Sequence, residues 1–160
     1  MPNKQDTETI AYHEAGHAIA AALTGGKIVR VSIEPEEDDR GGDTQVRWSN
    51  HGVNDKEHAI REIRTSLAGP VAEMIFVGDY EHLRIQAEHE IDWQIAMASV
   101  KTLTSKSEQQ LQFLSREASQ LYHYFRQENV WAAIGDLADQ LLAHETVDGE
   151  IVEGVIDQWI

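Results

Sequence analysis

The stretch Ala11-Tyr12-His13-Glu14-Ala15-Gly16-His17-Ala18 decides how the rest of the chain is read. It contains His-Glu-x-x-His, and its flanks, from Thr9 to Leu23, predict a helix. Ile10, Ala15, Ala18, Ile19, Ala22 and Leu23 supply the apolar contacts, Asp6 or Thr7 is placed to cap the start, and Gly25-Gly26 closes the end. Residues four apart share a helix face, about 6 Å between Cβ atoms. His13 and His17 can therefore both turn an imidazole nitrogen toward one zinc ion at roughly 2.0–2.1 Å. Glu14 projects from nearly the same side without needing to ligate, so its carboxylate can hold an attacking water and take its proton. A Lewis acid beside a fixed base is the chemistry of peptide-bond hydrolysis. Two histidines one turn apart are also ordinary, partly exposed helix residues, but the helical, apolar flanks are those the motif requires. Gly16 costs about 1 kcal/mol relative to alanine inside a helix, which predicts a second helix packed close to the motif.

The whole chain sets the frame for this motif. A length of 160 residues predicts one domain, 1–160, with a substantial core, and 41% hydrophobic content is ordinary for a globular protein. No run approaches the roughly 18 apolar residues of a membrane span. Met1 to Asp6 lacks the basic-then-apolar pattern of a signal peptide, so a cytoplasmic location is the default expectation. The absence of cysteine excludes disulfides and thiolate chemistry. With 13 basic against 28 acidic residues, the formal net charge of −15 repels phosphate backbones, so neither nucleic acid nor anionic membrane is expected as a partner. The acidic excess reads as a solvated, solubilising surface.

Further along, Lys27 to Ile33 alternates and predicts a strand with Val29, Val31 and Ile33 on one face. Glu34 to Gly42 is an acidic, turn-rich loop, and Asp43 to Trp48 returns as a second strand. A short sheet beside the motif helix can present an edge to which an extended peptide adds, or can simply cover the core. From Asn54 the pattern is helical through Ile75, with Gly69-Pro70 predicting a kink or two helices in succession, and Gly78-Asp79 ending the segment. Residues 88–96 lead into a helix through about Leu103. Ser105 to Glu108 reads as a capping box for a helix carrying Leu111, Leu114, Leu121 and Phe125. A further helix spans about Val130 to Ala143, and Thr146 to Gly149 reads as a turn before a short terminal helix. The sum is a mainly helical, α+β chain with one small N-terminal sheet beside the motif helix.

A catalytic zinc site needs three protein ligands and an open position. Glu73, His82, Glu88, His89, Glu90 and Asp92 all lie on segments that could pack against the first helix, and spacing alone leaves the choice open. Glu73 would act as a glutamate from a following helix. Asp92 would offer a shorter carboxylate beside apolar Ile91 and Trp93, which could exclude water.

Taken in order, several pieces resemble the peptidase domain of the FtsH-type, AAA-linked zinc metalloproteases. They are Tyr12 to Ala18, the strand and glycine-bearing hairpin after it, Leu67-Ala-Gly-Pro-Val-Ala-Glu-Met-Ile-Phe76, Asp92-Trp-Gln-Ile-Ala96, and Leu142-Ala-His-Glu-Thr-Val-Asp-Gly-Glu150. The similarity is collinear over roughly residues 9 to 155. It implies His13, His17 and Asp92 as ligands of one zinc ion per chain, Glu14 as catalytic base, and a supporting part for Glu73. The chain departs from the family in lacking any Gly-x-x-x-x-Gly-Lys-Ser/Thr loop, hence an ATP site, and any membrane anchor. Pro35-Glu-Glu-Asp stands where an arginine-containing stretch is usual, and Pro70 where an arginine is often found.

The expectation is therefore a zinc endopeptidase that cuts peptides or unfolded proteins without unfolding them itself. Homo-oligomerisation, or a separate partner delivering substrate, would accompany it. The competing expectation is a peptidase-like adaptor or regulatory module that binds zinc or peptide with little turnover. Retention of Glu14 argues against that alternative, because a structural zinc site has no need of a base and more often fills its fourth position.

Overall fold

Helix α1 (Lys4–Leu23) is the element against which the others are laid. In the computed structural model, which describes residues 4–34, 42–49, 51–78 and 90–160, it is followed by β1 (Gly26–Ser32), β2 (Asp43–Trp48) and α2 (Asp55–Val77). Then come α3 (Glu90–Val100), α4 (Ser107–Phe125), α5 (Glu128–His144), β3 (Thr146–Asp148) and α6 (Gly149–Trp159). Helix α1 starts at Lys4, so neither Asp6 nor Thr7 is its cap. Asp6 lies in the first turn, where the partial positive charge of the helix terminus favours a carboxylate. Ala11, Ala15, Ala18, Ile19, Ala20 and Ala21 are all buried, which brings small side chains to most of the helix circumference. Helices α2 and α5, and β1 beside them, all pack on α1.

Helices α1 and α2 come into close contact at Gly16. A Cβ there would stand 2.6 Å from the Ala68 carbonyl oxygen and 2.6 Å from the Ala72 Cβ. The second helix expected beside Gly16 is thus α2, seated on Ala68 and Ala72. Asn54 caps α2, its side-chain oxygen accepting from the Glu57 N–H at 2.9 Å, and Gly78 closes it at φ 80°. Pro70 lies inside α2 and the helix continues through it as one element. The alternative of two successive helices is therefore corrected: the buried run from Ser66 to Ala72, packed on α1, holds both halves together.

The sheet has the order β2-β1-β3, with both pairings antiparallel. Its central strand departs from the expected alternation. The register slips between Ile28 and Arg30, and Val29 is exposed while Ile28, Val31 and Ile33 are buried. A bulge places one extra residue in the strand and resets which side faces the core. Val29 is that residue. Thr146–Asp148 forms strand β3 instead of the expected turn; three residues are too few to carry a period-two pattern, and Asp148 doubles as the cap of α6, accepting from the Ile151 N–H at 3.2 Å. The expected capping box at Ser105 is also absent. Lys106 occupies the cap position without a side-chain bond, and Gln110 instead donates to the Thr104 carbonyl at 2.8 Å.

The remaining helices complete one hydrophobic cluster. Helix α5 contributes Val130, Ala133, Ile134, Leu137, Ala138 and Leu141, and α4 contributes Leu114, Ala118, Leu121 and Phe125. Arg64 on α2 donates from Nε to the buried Glu117 carboxylate on α4 at 2.8 Å, which ties these helices across the cluster edge. Tyr12 stacks on Phe76 at 4.1 Å and on Trp131 at 5.3 Å, joining α1 to α2 and α5 just beside the motif. Among the described residues, no helix is long and apolar enough to cross a membrane.

The Gly16 contact makes a signed prediction. Gly154, on the exposed face of α6, has no described atom within 4 Å of where a Cβ would stand, so Gly154→Ala should gain up to about 1 kcal/mol from helix propensity. Gly16→Ala should instead lose about 1–3 kcal/mol through overpacking, read as opposite shifts of the urea midpoint.

Candidate metal centre

His13 and His17 emerge from α1 toward α2, because the rest of the α1 surface is taken up by alanine contacts. Each ring is held at its Nδ1. His13 Nδ1 lies 2.9 Å from Glu73 Oε2, and His17 Nδ1 lies 2.7 Å from the Thr65 carbonyl oxygen. A carbonyl can only accept, so His17 carries a proton on Nδ1 and turns the lone pair of Nε2 the other way. The Glu73 carboxylate favours the same arrangement for His13. The two Nε2 atoms meet 3.0 Å apart, with the rings at 79° to each other.

Into this meeting point α3 delivers Asp92. Its Oδ2 lies 3.0 Å from His13 Nε2 and 3.4 Å from His17 Nε2. Three basic atoms converging in a half-buried site require a cation between them. In metal-free protein that cation is a proton. Burial pulls the His13 pKa down, but hydrogen bonds to Asp92 and Glu73 outweigh it and raise it to about 10. His17 is raised as well, burial again opposing and Asp92 prevailing. Burial works against ionised Asp92, yet the two histidines hold its carboxyl well below the usual range.

A metal ion could take the proton's place. Ligands at about 2.0–2.2 Å from one tetrahedral ion stand roughly 3.3 Å from each other, and the three separations here are 3.0, 3.0 and 3.4 Å. Two imidazoles and one carboxylate form a donor set that suits zinc. Glu14 completes the surroundings. His13, Glu14 and His17 offer ligand atoms within 4.8 Å of one another. The Glu14 residue is buried, its Oε2 has no hydrogen-bond partner among the described residues, and burial raises its pKa. The start of β2 lies over it: a Cβ on Gly42 would stand 2.8 Å from Glu14 Cγ, and Thr44 Oγ1 donates to the Glu14 carbonyl at 3.4 Å.

The residues singled out in the sequence are thus divided. His13, His17 and Asp92 come together, Glu14 stands beside them, and Glu73 holds His13 from behind. His82, Glu88 and His89 lie outside the described residues, as does the side chain of Glu90. Two contributors escaped the sequence reading. Thr65 acts through a main-chain oxygen, which no side-chain pattern announces, and Gly42 read only as the end of a turn.

A motif helix crossed by a second helix, with an antiparallel sheet at its side and this donor cluster between, defines a zinc-type peptidase domain of the FtsH kind. Residues 1–98 match the family described as Peptidase family M41, and the chain belongs to that family. The matched span ends within α3, so the Leu142–Glu150 segment lies beyond it. The chain is also similar to the ATP-dependent zinc metalloprotease FtsH 3 of Conexibacter woesei, at 36% identity over 85 residues. That alignment covers 49% of this chain and 11% of the relative's length.

The electrostatics can be checked in metal-free protein. By nuclear magnetic resonance titration, His13 should stay protonated through neutrality and release its proton only near pH 10. Its raised pKa stabilises the fold fully below the free-histidine value of 6.5, and that contribution fades as pH rises through about 10. Asp92→Asn should lower the midpoint of His13; an unmoved midpoint would contradict the ion pair.

Proposed function

We propose that the chain is a zinc endopeptidase in which His13, His17 and Asp92 hold the ion and Glu14 is the general base. The observation that carries this reading is the convergence of two Nε2 atoms and one carboxylate oxygen within 3.4 Å of one another, beside a buried carboxylate with an unpartnered oxygen. Zinc bound there would supply a Lewis acid able to polarise a peptide carbonyl and to make water acidic enough to attack at neutral pH. Glu14 accepts the proton of that water. Its pKa, raised by burial, makes it a stronger base than a solvated glutamate and then a competent donor to the leaving amine. Glu73 and the Thr65 carbonyl keep both rings in the tautomer that aims Nε2 at the ion.

Substrate would lie along β2. In the order β2-β1-β3 this strand is at the edge, and its first residues press on Glu14. An extended peptide adding there gains main-chain hydrogen bonds and runs past the base. Such a segment must be free of its own fold, so the substrates are peptides or unfolded proteins. These 160 residues contain no phosphate-binding loop, and unfolding or delivery falls to another unit or to a partner. The adaptor reading has less support. A buried carboxylate oxygen without a partner costs about 1–3 kcal/mol or more in stability and serves nothing in a module that does not turn over.

Metal analysis of the purified protein should find about one zinc per chain, lost in His13→Ala, His17→Ala and Asp92→Ala. Glu14→Gln should keep the zinc and lower casein cleavage by about 10²–10⁴-fold. Wild-type activity in Glu14→Gln removes the mechanism. Zinc-loaded wild type inert toward casein and a broad peptide library would favour the adaptor.

A further inference from the structure

His17 rests on a part of α2 that belongs neither to the ligand set nor to the base. Building on the zinc reading, we infer that Gly69 is a positioning residue for His17: the side chain it lacks is the slot in which the imidazole lies. A Cβ on Gly69 would overlap His17 Nε2 and stand 2.6 Å from Cε1 and 2.7 Å from Cδ2. All three nearest atoms belong to the ring. Gly16 differs, because its Cβ would meet the Ala68 backbone and the Ala72 side chain. Gly16 permits the helices to approach; Gly69 makes room for one ligand.

The slot and the hydrogen bond are parts of one helix face. Thr65 and Gly69 are four residues apart, so the carbonyl that accepts from Nδ1 at 2.7 Å points along the helix axis toward Gly69, whose missing side chain leaves the space for the ring's other edge. Together they fix tautomer and tilt, which leaves Nε2 3.4 Å from Asp92 Oδ2 and 3.0 Å from His13 Nε2. His13 is steered by the side chain of Glu73. His17 is steered by backbone, and a side-chain change at Thr65 cannot remove that acceptor. Gly69 is the position through which the sequence controls the second ligand. A methyl group there pushes the ring off the meeting point; because Pro70 follows, it also crowds the proline ring, so metal affinity and ligand geometry, and not stability, are the readouts that isolate the slot.

Gly69→Ala and Gly154→Ala, each in the full 160-residue chain, separate these roles. Zinc affinity is read by competition with a chromophoric chelator, and ligand geometry by the visible absorption of the cobalt-substituted protein. Gly69→Ala should keep its helical circular dichroism, lose roughly 10–100-fold in zinc affinity, and alter the cobalt bands; Gly154→Ala should change neither. A purely structural glycine would lower stability without moving the bands. Wild-type affinity and bands in Gly69→Ala overturn the inference alone, whereas wild type that binds neither metal overturns the zinc reading with it. If Gly69→Ala does not fold, nitrogen-15 resonance of His17 in zinc-loaded wild type decides. A protonated Nδ1 coupled to the Thr65 carbonyl supports the inference, and a metal-bound Nδ1 overturns it.

Discussion

The packing of α1 on α2 is the constraint from which the site follows. Small residues, Gly16 with Ala68 and Ala72, let the two backbones approach to a distance that larger side chains would forbid. That approach brings the Thr65 carbonyl within 2.7 Å of His17 and the Glu73 carboxylate within 2.9 Å of His13. Each contact fixes an imidazole proton on the side away from the other ring. With helices further apart, the rings would turn freely and their basic nitrogens would have no common target. Close packing here performs an electrostatic task, converting two flexible side chains into a pre-oriented pair.

Much of this was legible in the residues because the features were local. Helix α1 and strand β1 follow from periodicity, and β2 falls at Asp43–Trp48, where a returning strand is expected after the turn-rich loop. The pairing of His13 with His17 follows from helical geometry alone. Asp92 could be singled out only through resemblance, since its meeting with α1 depends on how α2 and α3 pack. What periodicity missed was set by tertiary partners. The bulge at Val29 reversed one side chain in the central strand, and β3 gained its strand character by pairing Thr146, Val147 and Asp148 with Ser32, Val31 and Arg30. Pro70 predicts an interruption, yet it lies in a buried run beside the Gly16 contact, and the helix is continuous around it.

Charge within the site is balanced locally although the chain as a whole is strongly acidic. Asp92 stays ionised against the cost of burial because both histidines face it, and His13 stays protonated for the reciprocal reason. Glu14, a few ångströms away, lacks a comparable partner for Oε2 and is pushed toward its neutral form by burial. Two carboxylates in one cluster are thereby driven in opposite directions, Asp92 toward its ionised form and Glu14 toward its neutral one, as the proposed division between ligand and base requires.

The distance along the chain between the second histidine and the aspartate has a consequence for synthesis. Asp92 follows His17 by 75 positions, and at about 5–20 residues per second the ribosome needs on the order of 4–15 s to traverse that gap. Until α3 has emerged and docked, the nascent chain carries the motif but not the third donor of the proposed centre. The convergence of the three donor atoms is therefore a late event, timed by the docking of α3 and not by the appearance of the motif helix.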